Sequence, residues 1–248
     1  MLKGRTLFVI VMTLAGISAS GEWPRHYIDE NLPHAYSLAV VDMDGDDDLD
    51  VVSCAEKYPS IHHLFLFRAP SWDRDTIDPL IDEPRSAIAA DIDGDGDLDV
   101  VALSYLGVYW YEAPSWTKHA INEDHFNYAG LAVADMDGDN DLDVVSTAPQ
   151  SGRGVYWYEA PSWNEHIIDN QSSFGSQVYV ADMDGDDDLD VVATGCPENA
   201  VAWYEAPSWD RHHIDDLGGA KGLYVADMDG DDDLDVVATG YSADAVVW

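Results

Sequence analysis

The residues with the densest chemistry in this 248-residue chain are aspartates in a fixed pattern. DMDGDDDLDVV begins at Asp42, DIDGDGDLDVV at Asp91, DMDGDNDLDVV at Asp135, and DMDGDDDLDVV again at Asp182 and Asp227. Two carboxylates about 4 Å apart repel by roughly 4 kcal/mol at an effective dielectric near 20. A compact fold around such a stretch requires a counter-charge. Numbered from the first aspartate, positions 1, 3, 5, 7 and 9 are Asp in all five copies. They are Asp42, Asp44, Asp46, Asp48 and Asp50; Asp91, Asp93, Asp95, Asp97 and Asp99; Asp135, Asp137, Asp139, Asp141 and Asp143; Asp182, Asp184, Asp186, Asp188 and Asp190; and Asp227, Asp229, Asp231, Asp233 and Asp235. Position 7 is placed to offer its backbone carbonyl. Position 4 is always glycine, which lets the chain curl and aim alternate side chains at one centre.

Hard oxygen ligands in a flexible loop suit Ca²⁺, up to five ions in all. Mg²⁺, which holds to a small octahedron and keeps its waters, fits less well. The loops contain neither Cys nor His, which argues against zinc and copper. More than half of the acidic residues lie in these five stretches. The net charge of −38, from 11 basic and 49 acidic residues, is therefore concentrated at sites. Such a surface argues against nucleic acid and anionic membrane as partners.

The elements that position these loops repeat with them, at an interval of about 46 residues. Each copy holds an apolar run before the aspartates (SLAVVD), one after them (LDVVS), an aromatic run (VYWYEA) and a Trp-led run (WTKHAIN). All four are short, rich in Val, Ile, Tyr and Trp, and separated by Gly, Asp or Pro, as strands are. Four strands per repeat predict an all-β chain: a β-propeller of about five four-stranded blades over residues 21–248. With the strands of a blade labelled A to D, the order is D, four times ABCD, then ABC. Two arrangements fit: a closed five-bladed ring, in which the first D run pairs with the last C run, or a fragment of a larger propeller.

Residues 1–20 read differently. Lys3 and Arg5 precede an apolar run from Leu7 to Ile17 and the small residues Ser18, Ala19 and Ser20, the layout of a signal peptide. The expected location is secreted or cell-surface, with no membrane insertion of the mature chain. Cys54 and Cys196 have no spacing that pairs them.

The aspartate loop followed by LDVV, together with the WYE run, resembles the FG-GAP/VCBS repeat family, calcium-loop propeller repeats also found in integrin α-subunits and in fungal and bacterial lectins. The resemblance implies calcium binding and an extracellular recognition scaffold for carbohydrate or protein. It does not name one ligand. In an up-and-down blade the aspartate loops and APSW turns share one rim, and the variable B–C and D–A loops share the other. Six residues before each loop, at the channel mouth, stand Tyr36, Arg85, Ala129, Ser176 and Lys221. Tyr36, Arg85 and Lys221 are candidate contacts for an anionic or hydroxyl-rich ligand such as a glycan.

Trp110, Trp157 and Trp203 recur in register, as do His26, His119, His166 and His212, which points to packing rather than catalysis. No nucleophile, base and orienter stand outside the repeated framework, so the chain is not expected to be an enzyme. The alternatives are a calcium-dependent polysaccharide lyase, drawing on unique residues such as His34, His62 and His125, and a purely structural module of a larger surface protein.

Overall fold

The computed structural model describes residues 25–32, 34–57, 61–124, 129–148, 154–170, 175–195 and 199–248. The expected leader, Trp23, His125 and Cys196 lie outside them. Residues 1–31 and 32–248 form separate compact units. In the first, residues 25–31 hold no strand.

The second unit is all β. Blade 1 comprises β1 (Ala35–Val41), β2 (Asp50–Lys57), β3 (Ile61–Arg68) and β4 (Asp73–Asp78). Blade 2 comprises β5 (Ser86–Ala90), β6 (Asp99–Leu103), β7 (Val108–Glu112) and β8 (Thr117–Asn122). Blade 3 comprises β9 (Leu131–Ala134), β10 (Asp143–Ala148), β11 (Gly154–Glu159) and β12 (Asn164–Asp169). Blade 4 comprises β13 (Gln177–Ala181), β14 (Asp190–Gly195), β15 (Ala200–Glu205) and β16 (Asp210–Asp215), and blade 5 comprises β17 (Ala220–Ala226), β18 (Asp235–Gly240) and β19 (Ala245–Val247). Within each blade the strands pair antiparallel in chain order. The inner strands of consecutive blades, β1, β5, β9, β13 and β17, lie side by side, giving a five-bladed propeller.

One register recurs at every inner hairpin. Val41 faces Asp50, Ala90 faces Asp99, Ala134 faces Asp143, Ala181 faces Asp190 and Ala226 faces Asp235. Each aspartate loop is thus closed by a strand pair of fixed register. Alternation then sends successive residues to opposite neighbours, because the side-chain period of a strand is two. Val101, Leu103, Val108 and Trp110 of blade 2 pack against Leu131, Val144, Tyr156 and Tyr158 of blade 3. Val145, Val155 and Trp157 of blade 3 pack in the same way on Val178, Val191 and Tyr204 of blade 4. Trp110 and Trp157 are buried in these interfaces, as packing residues should be.

Hydroxyls latch the blades as well. Tyr111 of blade 2 donates to Asp78 of blade 1 at 2.7 Å, and Tyr204 of blade 4 to Asp169 of blade 3 at 2.7 Å.

Among the described residues the last sheet has three strands, and residues 25–31 of the first D run form turn and coil. The apolar residue at loop position 8 can pack against the preceding blade. Leu142 and Leu189 do so, but Leu49 is 54% exposed. The reason is positional: Leu49, like Leu38 and Val40, sits on the side of blade 1 turned away from blade 2. On blade 5, Val246 and Trp248 likewise occupy the side turned away from blade 4, where Trp248 is 65% exposed and its counterpart Trp157 is 9% exposed. Among the described residues no apolar cluster joins blade 5 to blade 1.

Candidate metal centres and the opposite rim

Each loop is built by its own backbone. The position 1 carboxylate caps the turn: in the first copy, Gly45 and Asp46 N–H donate to Asp42 Oδ1 at 2.8 and 3.1 Å, and Asp47 N–H donates to Oδ2 at 3.0 Å. The pattern recurs at Asp135, Asp182 and Asp227. Two residues per loop turn left-handed. One is the position 4 glycine, with φ between 72° and 81°. The other is position 6, occupied by Asp47, Gly96, Asn140, Asp187 and Asp232, the residue types that tolerate that region.

Position 9 staples the loop to the blade. The Asp143 carboxylate is buried, accepting Met136 N–H at 3.0 Å on Oδ2 and Ala160 N–H at 2.8 Å on Oδ1. Asp50, Asp99 and Asp190 make the same two bonds, to Met43 and Ala69, Ile92 and Ala113, and Met183 and Ala206. Ala69, Ala113, Ala160 and Ala206 open the APSW turns, whose Ala–Pro bonds are cis. The aspartate loops and these turns therefore share one rim.

The curl brings positions 1, 3 and 9 together. One carboxylate oxygen from each lies within 4.8 Å of the others in Asp42/Asp44/Asp50, Asp91/Asp93/Asp99, Asp135/Asp137/Asp143, Asp182/Asp184/Asp190 and Asp227/Asp229/Asp235. Position 5 is not in the cluster. Its carboxylate accepts the position 7 N–H, at 2.9 Å between Asp46 and Asp48 and at 2.8 Å between Asp139 and Asp141. The position 7 side chains lie outside the cluster too.

Electrostatics mark the clusters of blades 2, 3 and 4 as short of positive charge. Burial pushes the Asp99 carboxyl up to about 6 against its two backbone hydrogen bonds, with Asp93 and Asp95 adding to the rise. Burial, with neighbouring loop carboxylates, likewise raises Asp143 and Asp190. Asp91 Oδ1 is buried without a hydrogen-bond partner. An all-oxygen donor set with an orphaned buried carboxylate oxygen fits a hard divalent cation such as Ca²⁺.

A second repeated unit stands beside the loops. Glu112, Glu159 and Glu205, at the end of the third strand, hold the Nε2 of His119, His166 and His212 at 2.9, 2.6 and 2.6 Å. Each imidazole stacks on Trp110, Trp157 or Trp203, with ring centroids 4.2–4.3 Å apart. The glutamates went unnoticed in the sequence. The signal was present: Glu and His recur seven residues apart across a tight hairpin.

Among the ligand-face candidates, Tyr36 is exposed, and Arg85 is exposed and paired with Glu83 at 3.3 Å. Lys221 and Ser176 line an open cleft of about 320 Å³ with Gly175, Gln177 and Gly222, a cleft that includes neither Tyr36 nor Arg85. The Lys221 ammonium lies 5.3 Å from the Tyr241 ring centroid. His62 is engaged structurally, its Nδ1 accepting Glu83 N–H at 2.8 Å. Cys54 is a buried free thiol.

Blades, loops and staples together define a β-propeller with an acidic loop in every blade. Residues 91–146 and 135–193 match the FG-GAP-like repeat family. A search of curated proteins finds no match. Among solved structures, the chain is similar to an auxiliary nutrient-binding protein from Bacteroides thetaiotaomicron, with TM-score 0.58, 9% identity, and cover of 87% of this chain and 54% of that one. The chain thus spans about half the length of that protein. It is also similar to a nidogen/laminin complex, with TM-score 0.59, 11% identity, and cover of 86% and 78%. An Agrocybe aegerita lectin that specifically recognises non-reducing terminal N-acetylglucosamine gives TM-score 0.51, 14% identity, and cover of 83% and 60%. At such identities the likeness is one of fold.

Proposed function

We propose that this chain is a secreted, calcium-binding β-propeller that recognises an extracellular glycan or protein and is not an enzyme. The observation that carries the proposal is the convergence of three carboxylates within 4.8 Å at the same place in all five blades. Repetition with one geometry is what a bound ion demands, and an acidic turn kept only for solubility has no need of it. The leader-like residues 1–20 support export. No helix among the described residues is long and apolar enough to cross a membrane. Recognition is assigned to the rim opposite the metal loops, where the loops differ between blades. The nutrient-binding protein and the N-acetylglucosamine-specific lectin of similar fold make carbohydrate the first ligand class to test.

Extracellular Ca²⁺ near 1 mM with site affinities of roughly 10⁻⁴–10⁻³ M gives about 0.4–1.4 kcal/mol of linkage per site. Five sites amount to ~2–7 kcal/mol, comparable with the net stability of a domain. A calcium chelator should lower the melting temperature clearly, and added Ca²⁺ should restore it. An unchanged melt would end the calcium assignment. Saturable binding on a glycan array without turnover is expected for the recognition role, and cleavage of acidic polysaccharide in saturating Ca²⁺ would overturn the non-enzyme assignment.

A further inference from the structure

Blade 1 breaks the Glu–His–Trp unit in a coordinated way. Where blades 2–4 carry Glu112, Glu159 and Glu205, it has Arg68. Asp75 replaces the histidine, and Leu66 replaces the tryptophan. The cross-strand pair survives with its polarity reversed, Arg68 Nε lying 3.0 Å from Asp75 Oδ2. The other arm of the guanidinium does something no glutamate can do: Arg68 Nη1 lies 2.9 Å from Oδ2 of Asp44, the position 3 carboxylate of the first loop. In blades 3 and 4 the same two places hold like charges, so that Glu159 adds to the forces raising Asp137 and Glu205 to those raising Asp184, after burial and the nearer loop aspartates.

We propose that Arg68 is a built-in counter-charge for the first aspartate loop. The loop then holds its fold without a divalent ion and takes up Ca²⁺ more weakly than the loops of blades 2, 3 and 4. The inference rests on the assignment of Ca²⁺ to these loops. Its physical basis is competition. Arg68 occupies an oxygen of a carboxylate the ion would use and places a positive charge one hydrogen bond beyond it, where blades 2, 3 and 4 place a negative one. A change of two unit charges that close to a divalent cation weakens binding by roughly 10–100-fold, even at solvent-like dielectric. The five loops would then form a graded set, in which blade 1 keeps its rim ordered at calcium levels that empty its neighbours.

The test is calcium titration of the chelator-stripped chain, followed by calorimetry and by hydrogen exchange of peptides spanning residues 42–50 and 135–143. In the wild-type chain the 42–50 amides should stay protected in chelator and respond only at high Ca²⁺, while the 135–143 amides gain protection at 10–100-fold lower concentrations. Arg68→Glu combined with Asp75→His restores the pair of the other blades and should bring the two midpoints together. Arg68→Met, which leaves Asp44 unclaimed and needs no new pair, should move the 42–50 midpoint in the same direction. Glu159→Arg should shift the 135–143 midpoint upward. Equal midpoints in the wild-type chain, or midpoints unmoved by both Arg68 variants, would overturn the inference while leaving the calcium assignment standing. No heat and no protection at any loop would overturn both.

Discussion

Removing one hydroxyl tests how the blades are joined. Tyr111 is fully buried, and its hydroxyl donates to Asp78 Oδ2 across the interface of blades 1 and 2 at 2.7 Å. Asp78 also accepts Leu80 N–H at 2.7 Å and Lys118 Nζ at 3.1 Å. Burial alone would raise the Asp78 carboxyl, but the bonds from Leu80, Tyr111 and Lys118 outweigh it and hold the group below the ordinary range. Phe is the residue blade 1 carries at the corresponding position, Phe67, so Tyr111→Phe introduces no strain. A hydrogen bond to a charged acceptor contributes about 1.5–3 kcal/mol. Because Asp78 keeps two donors, the loss should fall in the lower part of that range, about 1.5–2 kcal/mol. For a chain of this size that is a fall in Tm of roughly 3–8 °C.

The pH dependence has a definite sign. A depressed carboxyl contributes stability that is present above its unfolded pKa of about 3.9 and lost as pH falls through the lower folded value. The wild-type and Tyr111→Phe curves should therefore separate at neutral pH and converge toward acid. Urea denaturation in saturating Ca²⁺, with Asp78→Asn completing a double-mutant cycle, measures the term directly. A loss below about 0.5 kcal/mol at pH 7, or a coupling of zero, would refute the latch.

Three further outcomes are expected. Burial pushes the Cys54 thiol up to about 12, so a thiol-specific reagent should leave it unmodified at pH 8 until the chain unfolds, and labelling at the rate of a free thiol would contradict that placement. Gly130→Ala should cost about 1–3 kcal/mol in urea titration, because its Cβ would stand 2.9 Å from the Gln177 and Val178 backbone of the next blade. Gly138→Ala, in open space but at φ +79°, should cost the ~1–2 kcal/mol of a left-handed residue, and a loss below about 0.5 kcal/mol at Gly130 would show that crowding does not act there.

Much of this architecture was legible in the residues. Five spaced aspartate loops between apolar runs specify blades, and the alternation of Val144 with Val145 across two interfaces is the period of a strand made visible. The convergence of positions 1, 3 and 9 was legible, but the separate place of position 5 was not. That position depends on an aspartate side chain bonding the N–H two residues on, which the count of aspartates does not reveal. The coil at residues 25–31 was not legible, since the WPRHYID run at 23–29 carries the pattern of the D strands but its described residues form no ladder. Arg68 stood in plain view as a departure from the repeat. Only the fold shows that its two arms reach Asp75 and Asp44 together.

The position 9 staple has a consequence for how such a chain can change. One carboxylate grips both its own loop and the neighbouring Ala–Pro turn, so all the parts that must stay constant are gathered at a single edge of each sheet. Among the described residues the far edge carries no such staple, though it holds the Asp78 and Asp169 latches at the ends of the fourth strands. Surface loops that spare those two residues can be exchanged there, blade by blade, without disturbing the staples.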